Sequence, residues 1–132
     1  DLDPMVVNLC NCNRCRILFG SVAIAALYSD EEIQIKGETS VYNYLGGSGM
    51  EVSAHFCKTC ACRIVHIADA FPGMGAYPIG IFEKSIEFKP KSEIFTNYKL
   101  PWLGNDGCIV ESFEEAAVGE RLMLLLEELE NR

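Results

Sequence analysis

Six of the seven cysteines fall into two tight clusters: Cys10, Cys12 and Cys15 as CxCxxC, and Cys57, Cys60 and Cys62 as CxxCxC. Disulfides between cysteines two or three residues apart would close almost no loop, so a disulfide framework is a poor reading of this pattern. A tight turn can instead aim neighbouring thiolates at one metal ion. Zinc is the expected occupant, with redox-active thiols and buried inert thiols as the alternatives. Zinc thiolates fit a reducing compartment, and a cytoplasmic location is expected.

The 132 residues are enough for one domain with a true core, and 49% of them are hydrophobic. The formal net charge is −8, and the basic residues are scattered without a Lys/Arg run. Binding to DNA or RNA needs a phosphate-neutralising patch, so no nucleic-acid partner is expected. No apolar run is long enough to span a membrane. The N-terminal DLDPMVV has neither a basic region nor an apolar one, so no signal peptide is expected. The sequence begins without Met, which leaves a preceding N-terminal piece open.

The pattern along the chain predicts a mainly β fold with a helical tail. SVAIAALY (21–28) reads as a strand buried on both faces. IQIKGE (33–38) alternates as a half-exposed strand, and SVYNYL (40–45) reads as a further strand. GGSGM (46–50) predicts a hairpin turn into EVSAHFC (51–57), and CRIVHIA (62–68) leaves the second cluster as its partner. FPGMGAYPIG (71–80) reads as loop, with short strands expected in SIEFKP, EIFTNY and around CIV. Several short strands at close spacing suggest a small sandwich or barrel-like sheet. The zinc domain is expected over 1–111 and an amphipathic helix over 112–132. Ser112 with Glu115 matches a capping box. Val118, Leu122, Leu125 and Leu129 share one face, flanked by Met123 and Leu126, opposite Glu120, Glu127, Glu128 and Glu130. That helix either packs on its own domain or forms a homodimer.

Four stretches carry a family resemblance: NCNRCRILFGSVA, HFCKTCACRI, IGIFEKSIEFKPKSEIF and NYKLPW. In this order and spacing they resemble the glutathione-dependent formaldehyde-activating enzyme family, also called the CENP-V/GFA domain family. The resemblance implies an Mss4-like zinc-binding β fold. It assigns Cys10, Cys12 and Cys15 to a catalytic zinc, and Cys57 and Cys60 to half of a structural four-cysteine zinc. The other half of that structural site is an upstream C-x-C, and this sequence contains no such pair. Ala61 stands where the family has glycine after the knuckle, at a point that often turns through positive φ. Cys62 is an extra thiol, read either as a replacement ligand or as a small buried thiol in a strand.

Three thiolates within six residues fill three corners of a tetrahedron and leave the fourth open, as catalytic zinc sites do. Zn²⁺ with three thiolates is a weak Lewis acid and is poorly suited to making hydroxide. Such a site is better suited to an incoming thiol, which stays nucleophilic as its thiolate. In the family that thiol is glutathione or a relative, and the reaction makes or breaks a carbon–sulfur bond in a small-molecule thiol adduct. The alternative is a closed site with Cys108, His55 or His66 as fourth ligand. Arg14 and Arg16 are candidates for a substrate carboxylate, or else solvated surface arginines. Asn11 and Asn13 are expected to shape the loop, and Ser21 is considered near the metal. His66 reads as a satisfied core histidine, and Trp102 as a packing anchor. A non-catalytic zinc-stabilised interaction module and a chaperone-like or exchange-factor-like binder remain the alternatives to an enzyme.

Overall fold

Alternation of side chains builds a sheet whose two faces have different tasks. The computed structural model describes residues 2–104 and 107–130. Its strands are β1 (Val6–Cys10), β2 (Ala23–Ser29), β3 (Thr39–Leu45), β4 (Glu51–Cys57), β5 (Arg63–Ala68), β6 (Met74–Pro78), β7 (Ser92–Ile94) and β8 (Glu111–Ser112). They form one eight-stranded sheet in the order β3-β4-β5-β6-β2-β1-β7-β8. Neighbours are antiparallel except β1–β7 and β7–β8, which are parallel. A mainly β protein with a C-terminal helix is therefore what the chain forms, as an open sheet with β3 and β8 at its edges.

One face of this sheet carries the main core. Val7, Ala26, Tyr28, Val65 and Tyr77 are buried together there, covered by Ile33, Ile79, Phe82 and Phe88. Period-two alternation turns Ala23, Ala25 and Leu27 of β2 to the opposite face, where they meet Asn8 and Cys10 of β1 and line a cavity. Helix α2 (Gly119–Glu130) packs on that second face through Leu125, which is buried against Val6 beside Leu27, Ala117 and Leu126. Val118, Met123 and Leu124 are exposed. The side chains of Leu122 and Leu129 from the expected stripe, and of Glu130 from the opposite face, lie outside what the structure describes. No described helix is long and apolar enough to cross a membrane.

Four sequence expectations are corrected. The tail helix starts at Gly119, not at Ser112, because the backbone of 112–115 is already engaged across the chain. Ser112 pairs with Glu93 in β8, the Phe113 amide donates to Glu93 O, and Glu115 O accepts from the Phe95 amide. Residues 33–38 form no strand, because both edges of β2 are taken by β1 and β6, and Ile33 covers the core instead. The glycine-rich 71–80 segment contains β6. A Cβ on Gly75 would lie 2.8 Å from Val65 Cγ2, so this glycine lets the strand pass close to its neighbours. SIEFKP contains a short 3-10 turn at Ser85–Glu87 rather than a strand.

Candidate metal and thiol site

The first cysteine cluster is assembled where β1 ends and a short helix begins. Cys10 closes β1, opposite Ala23 on one side and Ile94 on the other. The Asn11 amide and Asn11 Nδ2 each donate to Ile94 O at 3.1 Å, which anchors the turn to β7. Asn11 is buried, with Oδ1 unpartnered. Cys12 then caps α1 (Asn13–Phe19), its Sγ accepting from the Cys15 amide at 3.3 Å. Gly20 ends the helix in the left-handed conformation at φ 87°. The expected thiolate turn is thus a strand end and a first helical turn.

This geometry brings the three Sγ atoms within 4.8 Å of one another. Cys12 is buried, and Cys10 and Cys15 are half-buried. Hydrogen bonds from the Cys10 and Cys15 thiols, helped by the backbone amides of Cys15 and Arg14, pull the Cys12 thiol down to about 2. Donation to Cys12 pushes Cys10 up to about 12, and Cys15 is pushed up by Cys10 and Cys12 together. The cluster by itself stabilises one shared negative charge, and a cation is needed before all three sulfurs ionise together. A tetrahedral zinc with bonds of about 2.3 Å sets its sulfurs roughly 3.8 Å apart. The donor type and the spacing both fit, and the three cysteines could hold a metal.

The same three cysteines line a cavity of about 210 Å³. Seven alanines, among them Ala23, Ala25, Ala68 and Ala76, leave the space open in its wall. Phe19, Phe71, Phe95 and Phe113 add aromatic surface. Phe95 adopts a left-handed backbone at φ 55°, and its ring lies against Gly47 of the β3–β4 turn. The polar groups of the wall are largely paired with each other. Ser92 Oγ donates to Asn8 Oδ1 at 2.7 Å, and Tyr44 Oη lies 3.1 Å from His66 Nδ1. His66 is buried but only half satisfied, since its Nε2 has no partner. Burial lowers its pKa to about 4, with the charges of Arg63 and His55 adding to the effect. Burial first, and then the neighbouring cysteines, raise the Tyr44 pKa.

Arg14 and Arg16 leave α1 in different directions. Arg14 donates to Tyr42 Oη at 2.6 Å and lies over the Tyr44 ring at 5.1 Å. It lines both the thiol cavity and a shallow neighbouring groove that also contains Arg63, Tyr42 and Phe56. Arg63 stacks over Phe56 at 5.4 Å. Among the described residues neither Arg14 nor Arg63 has a carboxylate partner. Arg16 is instead occupied by Tyr98 O and by Asn13 Oδ1. Arg63 was missed in the sequence because it sits within a strand pattern, 47 to 49 residues away from the arginines beside the first cluster; only its place directly after the second cluster was a signal.

The second cluster caps the β4–β5 hairpin. The Thr59 amide donates to Cys57 Sγ at 3.4 Å, and hydrogen bonds from the Cys60 and Thr59 backbone lower the Cys57 pKa. Ala61 takes φ 59°, the turn at which the sequence comparison expected glycine. Cys57 and Cys60 offer two adjacent donors, whereas among the described residues the only three-donor group is Cys10, Cys12 and Cys15. Cys62 is exposed, not buried in a strand, because it precedes β5 at the open end of the hairpin. Trp102 is 74% exposed and anchors no core. Ser21 is exposed and outside the cavity wall, and His55 is turned to Thr39 Oγ1 at 3.2 Å.

A one-sheet β domain with three convergent thiols beside an apolar cavity defines a thiol-cluster protein with room for a ligand. Residues 1–98 match the family model described as glutathione-dependent formaldehyde-activating enzyme, and the chain belongs to that family. No curated protein matches the chain. Family membership supports a glutathione-related, formaldehyde-activating role of lyase type.

Proposed function

We propose that this protein is a zinc-dependent carbon–sulfur lyase or synthase acting on adducts between a glutathione-type thiol and a small aldehyde or other electrophile. The observation that carries this reading is the Cys10–Cys12–Cys15 group opening onto a ligand-sized cavity. The Mss4-like assignment of the fold belongs to the same reading. Cys10, Cys12 and Cys15 would hold the ion, and Cys57 and Cys60 would belong to a separate structural site. Bound there, zinc supplies positive charge that lets a substrate sulfur ionise at neutral pH.

The chain's own residues account for binding and orientation. Arg14 spans the cavity and the groove, so a thiol directed to the cluster can extend its carboxylates toward Arg14 and Arg63. The carbon wall excludes water from the carbon that joins or leaves sulfur. In the synthetic direction the sulfur–carbon bond forms, the carbonyl double bond opens, and the thiol proton ends on the former carbonyl oxygen. The lytic direction reverses each change.

The test is the exchange between formaldehyde plus glutathione and S-hydroxymethylglutathione, followed by NMR on protein of known metal content. Acceleration that depends on zinc and disappears in Cys12→Ser is expected. Unaltered exchange on zinc-loaded, folded protein would instead favour a non-catalytic zinc-stabilised interaction module.

A further inference from the structure

The cavity beside the thiol cluster is larger than a one-carbon substituent needs. A molecule of water-like size takes a share of ~30 Å³ in the liquid. The void measures about 210 Å³. An apolar cavity of ~150 Å³ is already enough to accept benzene. Protein interiors are close-packed, and large voids lined by carbon are few.

The wall also has little to offer a polar ligand. Asn8 is engaged by Ser92, Tyr44 faces His66, and Arg14 is held by Tyr42 at the rim. Ser48 Oγ accepts from the Met50 amide, His66 Nε2 is a single unpartnered nitrogen, and most of the remaining surface is alanine, phenylalanine, methionine and aliphatic carbon. Part of this enclosure comes from Phe113, Ala116, Ala117 and Leu126, beyond the residues 1–98 that match the family model. The cluster cysteines and the carbon wall belong to one continuous space, so a group attached to a sulfur at the cluster can enter it directly.

We infer that the site selects adducts whose sulfur carries a bulky apolar group, of benzyl or branched-alkyl size, derived from an apolar aldehyde rather than from formaldehyde. This rests on the lyase reading above and names its substrate class. The chemistry balances without a further reagent. The thiol sulfur bonds to the aldehyde carbon, and the thiol proton goes to the aldehyde oxygen. The ring or alkyl group occupies the space between Ala25 on β2 and Ala68 and Ala76 on β5 and β6.

The test compares S-benzylglutathione with S-methylglutathione, two unreactive thioethers, by calorimetry on the zinc-loaded protein. Burial of the ring predicts binding at least about tenfold tighter for the benzyl compound. Ala25→Leu and, separately, Ala76→Leu fill the cavity and should erase that preference by weakening S-benzylglutathione far more than S-methylglutathione. Equal affinity of the two thioethers for the unaltered protein overturns the inference. So does a preference that survives in both variants, provided their circular dichroism and melting match the parent. In either case acceleration of the formaldehyde–glutathione exchange would leave the lyase reading standing. Failure of the lyase reading has a different signature, no acceleration with formaldehyde or benzaldehyde, and it overturns both.

Discussion

Tyr44 and His66 face each other from β3 and β5, with the tyrosine hydroxyl 3.1 Å from His66 Nδ1. Burial keeps Tyr44 protonated, and the pair shares one hydrogen bond while His66 Nε2 is left without a protein partner. The folded protein therefore holds His66 neutral, at a pKa of about 4. An unfolded histidine titrates near 6.5, so the unfolded chain binds the extra proton between those values. Stability is full above about pH 6.5 and falls as pH drops toward 4, by on the order of 3 kcal/mol at most. Denaturant melts at pH 7.5 and pH 5 should show this loss in the parent and a smaller one in His66→Gln. An equal loss in both would rule out His66 as its source.

Removing one sulfur from the first cluster should remove its metal and leave the fold. Cys12 is the one whose charge both neighbours support, and Cys12→Ser should lower bound zinc by about one equivalent by elemental analysis. Cys60→Ser should leave that equivalent in place, because Cys60 lies at the tip of another hairpin. Loss of the same equivalent in both variants would contradict separate sites.

The two arginines of the groove should act on affinity for an anionic thiol. Arg14→Ala and Arg63→Ala are each expected to weaken glutathione binding about tenfold, the worth of a charge-assisted contact. Replacing glutathione by a neutral thiol should abolish the difference. Arg16→Ala should not reproduce it, since that side chain is spent on Tyr98 O and Asn13. Calorimetry on the three variants separates the roles.

Gly47 admits the Phe95 ring, and a Cβ there would come within 2.9 Å of Phe95 Cε1. Gly47→Ala should therefore destabilise by about 1–3 kcal/mol through overpacking. The damage should also reach the cavity, because Phe95 forms part of its wall. A melt together with the benzyl-thioether affinity measures both effects. An unchanged melting temperature would show that Phe95 has somewhere else to go.

The sequence made local chemistry legible and left the cavity hidden. Cys10, Cys12 and Cys15 could be read because their spacing alone brings sulfurs together. Strands β2 to β5 could be read from short apolar runs and from the glycine-rich turn between β3 and β4, whereas 33–38, the segment read from alternation, forms no strand. Strand β6 could not, because Gly75 and Pro78 resemble loop residues until Val65 and Tyr77 are seen against them. Helix α1 was masked by the cluster it carries, although Cys12 and Gly20 mark its ends. The helical tail was drawn too long because Ser112 and Glu115 satisfy a local rule that cross-chain hydrogen bonds override. No local pattern announces a void. Ala23, Ala25, Ala68 and Ala76 are unremarked small residues until three strands place them on one face.

Strand β1 has one neighbour nearby in sequence and one very far away. The Asn8–Ser92 contact on its β7 side spans 84 residues, and the Asn11 anchor to Ile94 lies in the same pairing. Closing so long a loop costs entropy before any contact rewards it, and parallel pairing of this kind forms late. The cluster sulfurs are five residues apart at most in the chain, yet the strand that fixes Cys10 is completed only when β7 arrives. An ion taken up at these three thiols would therefore bind only at the last step of folding. A pulse of thiol label during refolding should find Cys10 reactive until the first hundred residues have been threaded together.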